Sequence, residues 1–441
     1  MDLSLDLSKK SFAIYGLGKT GRSIIKYFNK IGFKNYITWD DNKSLKRKWN
    51  LNERRKKRFK SLLSTVDYIV VSPGISLKSA KLKKILIKNK SKIITDLDLF
   101  YIFNPKIRSI VITGTNGKST TCKILHHVLK KNGINVKLGG NIGRPVLTLN
   151  LSKKTLAIIE ASSFQLAYSK FVRPDYALVL NIANDHLDWH GTMGNYVKSK
   201  LKIFSLQNRN NFAFINNKNL LKIYRKRKYL AKLNFVNSKK YLKIKTSIRN
   251  KYLNSKANDE NMSFVYTLSK ILKINKKSFV KSLNSFKGLS HRYETFFKKD
   301  NKIFINDSKA TSFQACRFAL ASNDNILWIV GGMPKMGDKF NLIKLKKNIL
   351  KSYIIGKYMK NFQKQIKGNV DFELSGTLKK AVISIFKNIK KLSNRKVTIL
   401  LSPAAASYDQ FKNFEERGDE FKKLVKYYAR KYNQKIQDEY F

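Results

Sequence analysis

Residues 111–121, Val-Ile-Thr-Gly-Thr-Asn-Gly-Lys-Ser-Thr-Thr, read as an apolar strand that runs into a glycine-rich turn and delivers Lys118, Ser119 and Thr120 to the start of a helix. The turn leaves backbone N–H groups free, the helix start favours an anion, and Lys118 adds a point charge. The hydroxyl of Ser119 or Thr120 can ligate Mg²⁺. Gly114, Thr115, Asn116 and Gly117 with the three residues that follow are therefore expected to cradle the phosphates of ATP or GTP. The strict phosphate-loop pattern places Gly at 112, where this chain has Ile, so the match is to a shorter Gly-x-x-Gly-Lys-Ser form.

Strands and helices alternate on both sides of this unit. Strand 11–16 enters Gly16-Leu-Gly18-Lys-Thr-Gly21, and a helix follows with Ile24, Ile25 and Phe28 on one face. Strand 36–39 ends at Asp40 and Asp41, about 20 residues beyond the glycines, the spacing of a dinucleotide fingerprint. Taken alone, that spacing predicts NAD. Strand 67–71 ends in Ser72-Pro73-Gly74-Ile75, and segment 92–104 closes a first α/β unit. The second series comprises strands 109–113, 134–138, 155–160 and 176–182 with helices 118–131 and 193–207. Helices 258–273 and 276–286 follow, while 216–256, rich in Lys and Asn, defies assignment. A third series begins after Gly288 with strand 302–306, helix 310–322 and strands 326–330, 352–355 and 397–401. Such alternation predicts mostly parallel sheets, and 441 residues exceed what one core organises. The expected fold is α/β, with three tandem domains at 1–105, 106–288 and 289–441. The first and last are Rossmann-like and the central one resembles a phosphate-loop ATPase.

Composition narrows the partners. A formal charge of +63 ordinarily points to nucleic acid. Here lysine is scattered from end to end and rises together with Asn, Ile, Phe and Tyr, which speaks for compositional bias and against one binding face. The run Arg54–Arg58 reads as a solvated helix face. No nucleic-acid partner is expected. Two cysteines, Cys122 and Cys316, cannot build a disulfide framework. No stretch reaches membrane-spanning length, and the N-terminal Met-Asp-Leu-Ser-Leu-Asp-Leu-Ser lacks the apolar run of a signal peptide. A cytoplasmic protein without membrane insertion is expected.

Polar residues collect at the ends of predicted strands. Glu160 closes strand 155–160 and precedes Ala-Ser162-Ser-Phe-Gln165, so it is a candidate Mg²⁺ ligand if the triphosphate shares its rim. Strand 176–182 leads into Asn181-Ile-Ala-Asn-Asp185-His186, placing His186 on the same rim. His126 and His127 are assigned no role. In the third domain Arg292 offers a planar fork for phosphate oxygens, Lys309 a mobile ammonium and Asp307 an acceptor for ribose hydroxyls.

Eight segments in order resemble the Mur ligase family, and within it the branch that adds D-glutamate. They are Gly-Leu-Gly-Lys-Thr-Gly (16–21), Ser-Pro-Gly-Ile (72–75), Gly-Thr-Asn-Gly-Lys-Ser (114–119), Gly-Asn-Ile-Gly (140–143), Glu-Ala-Ser-Ser-Phe-Gln-Leu (160–166), His-Arg-Tyr-Glu (291–294), Asp-Ser-Lys-Ala-Thr (307–311) and the long run 402–418. The resemblance replaces the NAD reading. It implies that Leu17, Lys19, Thr20, Asp40 and Ser72, Pro73 and Gly74 lie near the uridine or diphosphate of UDP-N-acetylmuramoyl-L-alanine, with Asn141 and Ser162 further in. It implies ATP and Mg²⁺ at Lys118, Ser119 and Thr120, and Mg²⁺ ligation by Glu160, His186 and a carbamylated Lys200. Asn258 and Asn261 match adenine-side asparagines, and Ala257 stands where related chains often carry His. Arg292 and Asp307 fall on the nucleotide side, and D-glutamate is surrounded by Lys309, Thr311, Lys335, Ser407 and Phe414. The implied reaction is ATP-dependent amide formation through an acyl phosphate by a monomer, with Lys118, Glu160, His186, Lys200 and Arg292 as the catalytic set.

Overall fold

The computed structural model describes residues 9–250, 252–254, 258–392 and 394–438, with side chains described through 431. Ala257 and the N-terminal octapeptide read above as lacking a signal sequence lie outside the described residues. The chain divides into two compact units, 1–286 and 287–441.

The first unit holds two parallel sheets. Strands β1 (Phe12–Tyr15), β2 (Tyr36–Trp39), β3 (Tyr68–Val71) and β4 (Ile93–Ile94) pair in the order β2-β1-β3-β4. The second sheet contains β5 (Arg108–Thr113), β6 (Val136–Gly140), β7 (Leu156–Glu160), β8 (Tyr176–Val179), β9 (Phe212–Ile215) and β10 (Lys232–Phe235), ordered β10-β9-β8-β5-β7-β6. Strands β1, β7 and β8 are buried along their whole length. Parallel strands covered on both faces need unbroken apolar runs, which Phe-Ala-Ile-Tyr and Leu-Ala-Ile-Ile supply. One continuous apolar cluster links the two sheets, from Phe12 and Phe28 through Val111 and Ile159 to Ala213.

The second unit has one sheet, formed by β11 (Glu294–Lys299), β12 (Lys302–Asn306), β13 (Ile326–Gly331), β14 (Ile349–Ile355), β15 (Phe372–Gly376) and β16 (Val397–Leu401). Its order is β11-β12-β16-β13-β14-β15, parallel except for the β11–β12 pair. Alternate residues of β13 enter separate cores: Leu327 and Ile329 pack on one face, Trp328 and Val330 on the other.

The central phosphate-loop helix spans Lys118–Lys131, as the periodicity predicts. Strand 176–182 is shorter than read, ending at Val179, so that Asn181 lies in the loop. Segment 216–256 contains helix Lys218–Lys226, strand β10 and helix Ser238–Lys245. Arg54–Arg58 belongs to helix Glu53–Leu62, whose one buried residue is Phe59. That is the solvated face the charge pattern suggested.

In each sheet the chain reverses its direction of strand addition beside a central strand. Reversals open crevices at the carboxyl ends of β1, of β5 and of the β13–β16 pair. The glycine loops and the polar strand ends read from the sequence lie at these three places.

Candidate functional site

The turn after β5 is closed by its own side chains. Gly117 has φ +80° and caps the helix, and a Cβ there would meet Asn261 Oδ1 at 2.0 Å, so the turn requires glycine. The Asn116 N–H donates to Asn181 Oδ1 at 2.8 Å, and Asn181 in turn donates to Glu260 at 3.1 Å. Thr115 Oγ1 is 2.9 Å from the Tyr196 hydroxyl. Lys118 Nζ donates to the carbonyls of Gly114 at 2.9 Å and Thr115 at 2.8 Å. Ser119 and Thr120 occupy the first turn of the helix, Thr120 buried.

A second ammonium reaches the same carbonyl. Lys200 Nζ, from helix Met193–Leu201, donates to Gly114 O at 2.7 Å and lies 4.6 Å from the Tyr196 ring centre. The side chain is enclosed (1 % exposed), and burial together with the Lys118 charge pulls its pKa down to about 7. Near neutral pH a large fraction of Lys200 is therefore an uncharged amine, the form that can add to carbon dioxide.

Glu160, at the end of β7, is 2 % exposed. Its Oε1 accepts from Asn141 Nδ2 at 2.8 Å, while its buried Oε2 has no partner. An orphaned carboxylate oxygen beside a phosphate-type loop fits a divalent cation. His186 sits at φ +52°, a backbone conformation uncommon outside glycine, with its ring 4.7 Å from that of Phe164. Burial lowers its pKa, which favours the neutral imidazole a metal requires. Among the described residues no three His, Cys, Asp or Glu side chains form a metal cluster by themselves. Magnesium held by Glu160, His186 and the hydroxyls of Ser119 or Thr120 would thus complete its shell with phosphate and water oxygens, its usual habit.

A cavity of about 700 Å³ opens between the carboxyl ends of the first two sheets. Lys19, Thr20, Asp40, Ser72, Pro73, Gly74 and Asn141 line it, seven of the nine residues assigned to the UDP substrate. The other two support it from behind: Leu17 is buried, and Ser162 caps helix Ser163–Tyr168. Asp40 is a brace for the glycine loop, accepting the N–H groups of Leu17 at 2.5 Å and Asn42 at 2.7 Å. Lys19 Nζ donates to Gly143 O at 2.7 Å and so ties this loop to the one after β6. Asn261 is buried against the phosphate-loop helix, where it accepts from Thr121 Oγ1 at 3.3 Å, and Asn258 precedes it by one turn.

The second unit gathers its residues on its own rim. Lys309 Nζ lies 3.6 Å from the centre of the Phe414 ring. Met333 and Ala406 exchange backbone hydrogen bonds, which sets the loop carrying exposed Lys335 beside the loop carrying buried Ser407. Thr311 is exposed just after the β12 loop. Asp307 is committed to the fold, accepting from the Tyr293 N–H at 3.0 Å and Ser402 Oγ at 2.8 Å, with Arg292 nearby. Burial pushes its pKa up to about 7. Arg417 carried no assignment from the sequence. It is buried and donates to Ser308 O and Ala405 O at 2.8 and 2.9 Å, joining the loops after β12 and β16. Glu260 was likewise missed, its one signal being an acid in the first turn of a helix.

A glycine-rich strand-to-helix turn of the phosphate-loop type, an adjacent unsatisfied carboxylate and a large neighbouring cavity are the arrangement of a nucleotide-using α/β enzyme. The Mur ligase middle domain model matches residues 112–282 and the Mur ligase MurD-like N-terminal domain model residues 10–95. The UDP-N-acetylmuramoylalanine–D-glutamate ligase of Rickettsia felis is 34 % identical, covering 95 % of this chain and 97 % of that protein. Its Rickettsia prowazekii counterpart is 34 % identical over 95 % and 98 %. Among solved structures, MurF ligase from Thermotoga maritima in complex with ADP shares the fold at 14 % identity, with a TM-score of 0.54 over 96 % of this chain and 99 % of that one. The chain belongs to the Mur ligase family.

The geometry can be tested at two carboxylates. Glu160→Gln replaces the orphaned oxygen with an amide and should weaken Mn²⁺ binding in the presence of ATP by ~10–100-fold, read by electron paramagnetic resonance; unchanged binding removes Glu160 from the metal site. Asp307 has a folded pKa above its unfolded value of 3.8, so the stability it adds is full at acid pH and is lost as pH rises through about 7. Urea midpoints between pH 5 and 8 should therefore decline more steeply for the parent than for Asp307→Asn, and parallel slopes would refute the assignment.

Proposed function

We propose that this protein joins D-glutamate to UDP-N-acetylmuramoyl-L-alanine with ATP, releasing ADP and phosphate, as a cytoplasmic step of peptidoglycan synthesis. The observation that carries the reading is the meeting of Lys118, Lys200 and the unpartnered Glu160 oxygen around one phosphate-type turn. The near-full-length likeness to D-glutamate ligases supports the choice of substrates. In this reading 1–105 holds the UDP substrate, 106–288 the ATP and 289–441 the amino acid, and the enzyme acts as a monomer.

A carboxylate is a poor electrophile, so an amide does not form near neutral pH without activation. An oxygen of the L-alanine carboxylate attacks the γ-phosphorus of ATP; the bond to the β-phosphate oxygen breaks and ADP leaves. The D-glutamate amine, deprotonated, then attacks the acyl carbon. The tetrahedral intermediate collapses with cleavage of the bond to the phosphate oxygen, one of the two amine protons passing to water while the other stays on the amide nitrogen. The chain's work is positioning and charge neutralisation. Lys118 leaves its loop carbonyls for the β- and γ-phosphates, Arg292 supplies a fork for phosphate oxygens, and Asn141 orients Glu160. Magnesium neutralises phosphate charge when bound at Glu160 and His186. The neutral form of the Lys200 amine adds to carbon dioxide with loss of one N–H proton, which leaves a carbamate anion beside Lys118 that would suit the metal. Lys309 and Lys335 pair with the carboxylates of D-glutamate, with Thr311, Ser407 and Phe414 closing around it.

Phosphate release with UDP-N-acetylmuramoyl-L-alanine and ATP should require D-glutamate; release with L-glutamate, L-lysine or meso-diaminopimelate instead would sink the acceptor assignment. Lys118→Ala should lower turnover by roughly 10³-fold or more while calorimetry finds the UDP substrate bound within a few-fold of the parent. Full turnover in that variant would overturn the ATP site.

A further inference from the structure

Two carboxylates lie on the first turn of helix Asp96–Phe103, and the reaction above uses neither. Asp98 is absorbed by local structure, accepting the N–H groups of Thr95 at 2.8 Å and of Lys170 and Phe171 at 2.7 Å. Asp96 differs. It is 2 % exposed, and both its oxygens face the side-chain amide of Gln165, at 3.1 and 3.2 Å. The carbonyl end of that amide accepts from the Ser162 N–H and hydroxyl, both at 3.1 Å.

Gln165 is also a wall of the 700 Å³ cavity, together with Asn141. Since Asn141 donates to Glu160, this is the end of the cavity nearest the phosphate turn. A primary amide can be turned either way, whereas an ionised carboxylate only accepts. Asp96 and the Ser162 N–H together therefore hold the NH₂ of Gln165 toward the carboxylate and its carbonyl oxygen toward Ser162. The arrangement is expensive as a mere brace: burial raises the pKa of Asp96 to about 6 against the pull of Gln165, and an apolar pair of similar volume would pack without that penalty.

We propose that Asp96 is a positioning residue for the substrate cavity, acting through Gln165 to fix the Ser162–Gln165 corner that receives the muramoyl end of the UDP substrate. The identity of that ligand rests on the ligase reading above. Asp96→Asn keeps one oxygen toward Gln165 but sets an NH₂ against its NH₂ at the other position, and Gln165→Glu sets a carboxylate against a carboxylate. The double variant exchanges donor and acceptor and restores the pair, while the carboxylate introduced at position 165 still accepts from Ser162.

Affinity for UDP-N-acetylmuramoyl-L-alanine, by calorimetry, should fall about tenfold in each single variant and return to within about twofold of the parent in the double. The KM for ATP should be unchanged in all. Equal affinities in all four proteins overturn the proposal. So does a double variant that regains its melting temperature without regaining affinity, because the pair then serves only the fold. Should Asp96→Asn not accumulate in folded form, Gln165→Glu and the double variant suffice. Absent turnover by a parent protein that binds the UDP substrate counts against the ligase reading alone.

Discussion

A parallel sheet covered on both faces leaves one inexpensive place for polar side chains, beyond the carboxyl ends of its strands. Within β7 every residue is buried, and the one ionisable group among them, Glu160, is the last. Thr113 and Asn306 are likewise buried polar residues at the last positions of β5 and β12. Chemistry in this chain is therefore confined to three rims, and the reversals in strand order decide where each rim opens into a crevice. In the proposed reading the central rim holds phosphate; the first carries the large cavity, and the third gathers Lys309, Ser407 and Phe414.

At the central rim two ammonium groups converge on one carbonyl, that of Gly114. The pair is tolerable there because burial and the Lys118 charge pull the pKa of Lys200 down. Lys118 sits at the half-exposed turn, while Lys200, fully enclosed, yields its proton near neutral pH. A single buried amide oxygen thus links the phosphate lysine to a lysine of altered reactivity from a helix some 80 residues later.

Much of this was legible because function here is written in contiguous segments. The strand, turn and helix at 108–131 declare themselves by apolar run, glycine and periodicity, and Glu160 by its place after Ile158-Ile159. Two kinds of information were hidden. Strand β10, Lys-Leu-Asn-Phe, is an edge strand exposed at both ends and has no apolar run to announce it. The second kind is partnership across distance: Arg417 bonding to Ser308, Asp96 to Gln165 and Glu260 to Asn181 are pairings that only the folded chain brings together. For the same reason the positions of Asp40 and Asp307 in the sequence do not reveal that backbone N–H groups, and at Asp307 also a hydroxyl, engage both oxygens of each.

The interior also explains the charge. Over the whole sequence Lys and Arg outnumber Asp and Glu by 91 to 28. Among the described residues the buried charged side chains reverse that balance: Asp40, Asp96, Asp98, Glu160 and Asp307 against Lys200, Lys302 and Arg417. The excess of cations is thus a property of the solvated surface, where water and salt screen it and where it costs the fold little. The buried acids answer to local geometry. Asp40 and Asp307 brace rim loops, Asp96 and Asp98 hold Gln165 and the backbone at 170–171, and Glu160 keeps an oxygen free. A basic composition therefore leaves the chemistry of the chain intact, because the few carboxylates that matter are held where the surface bias does not reach.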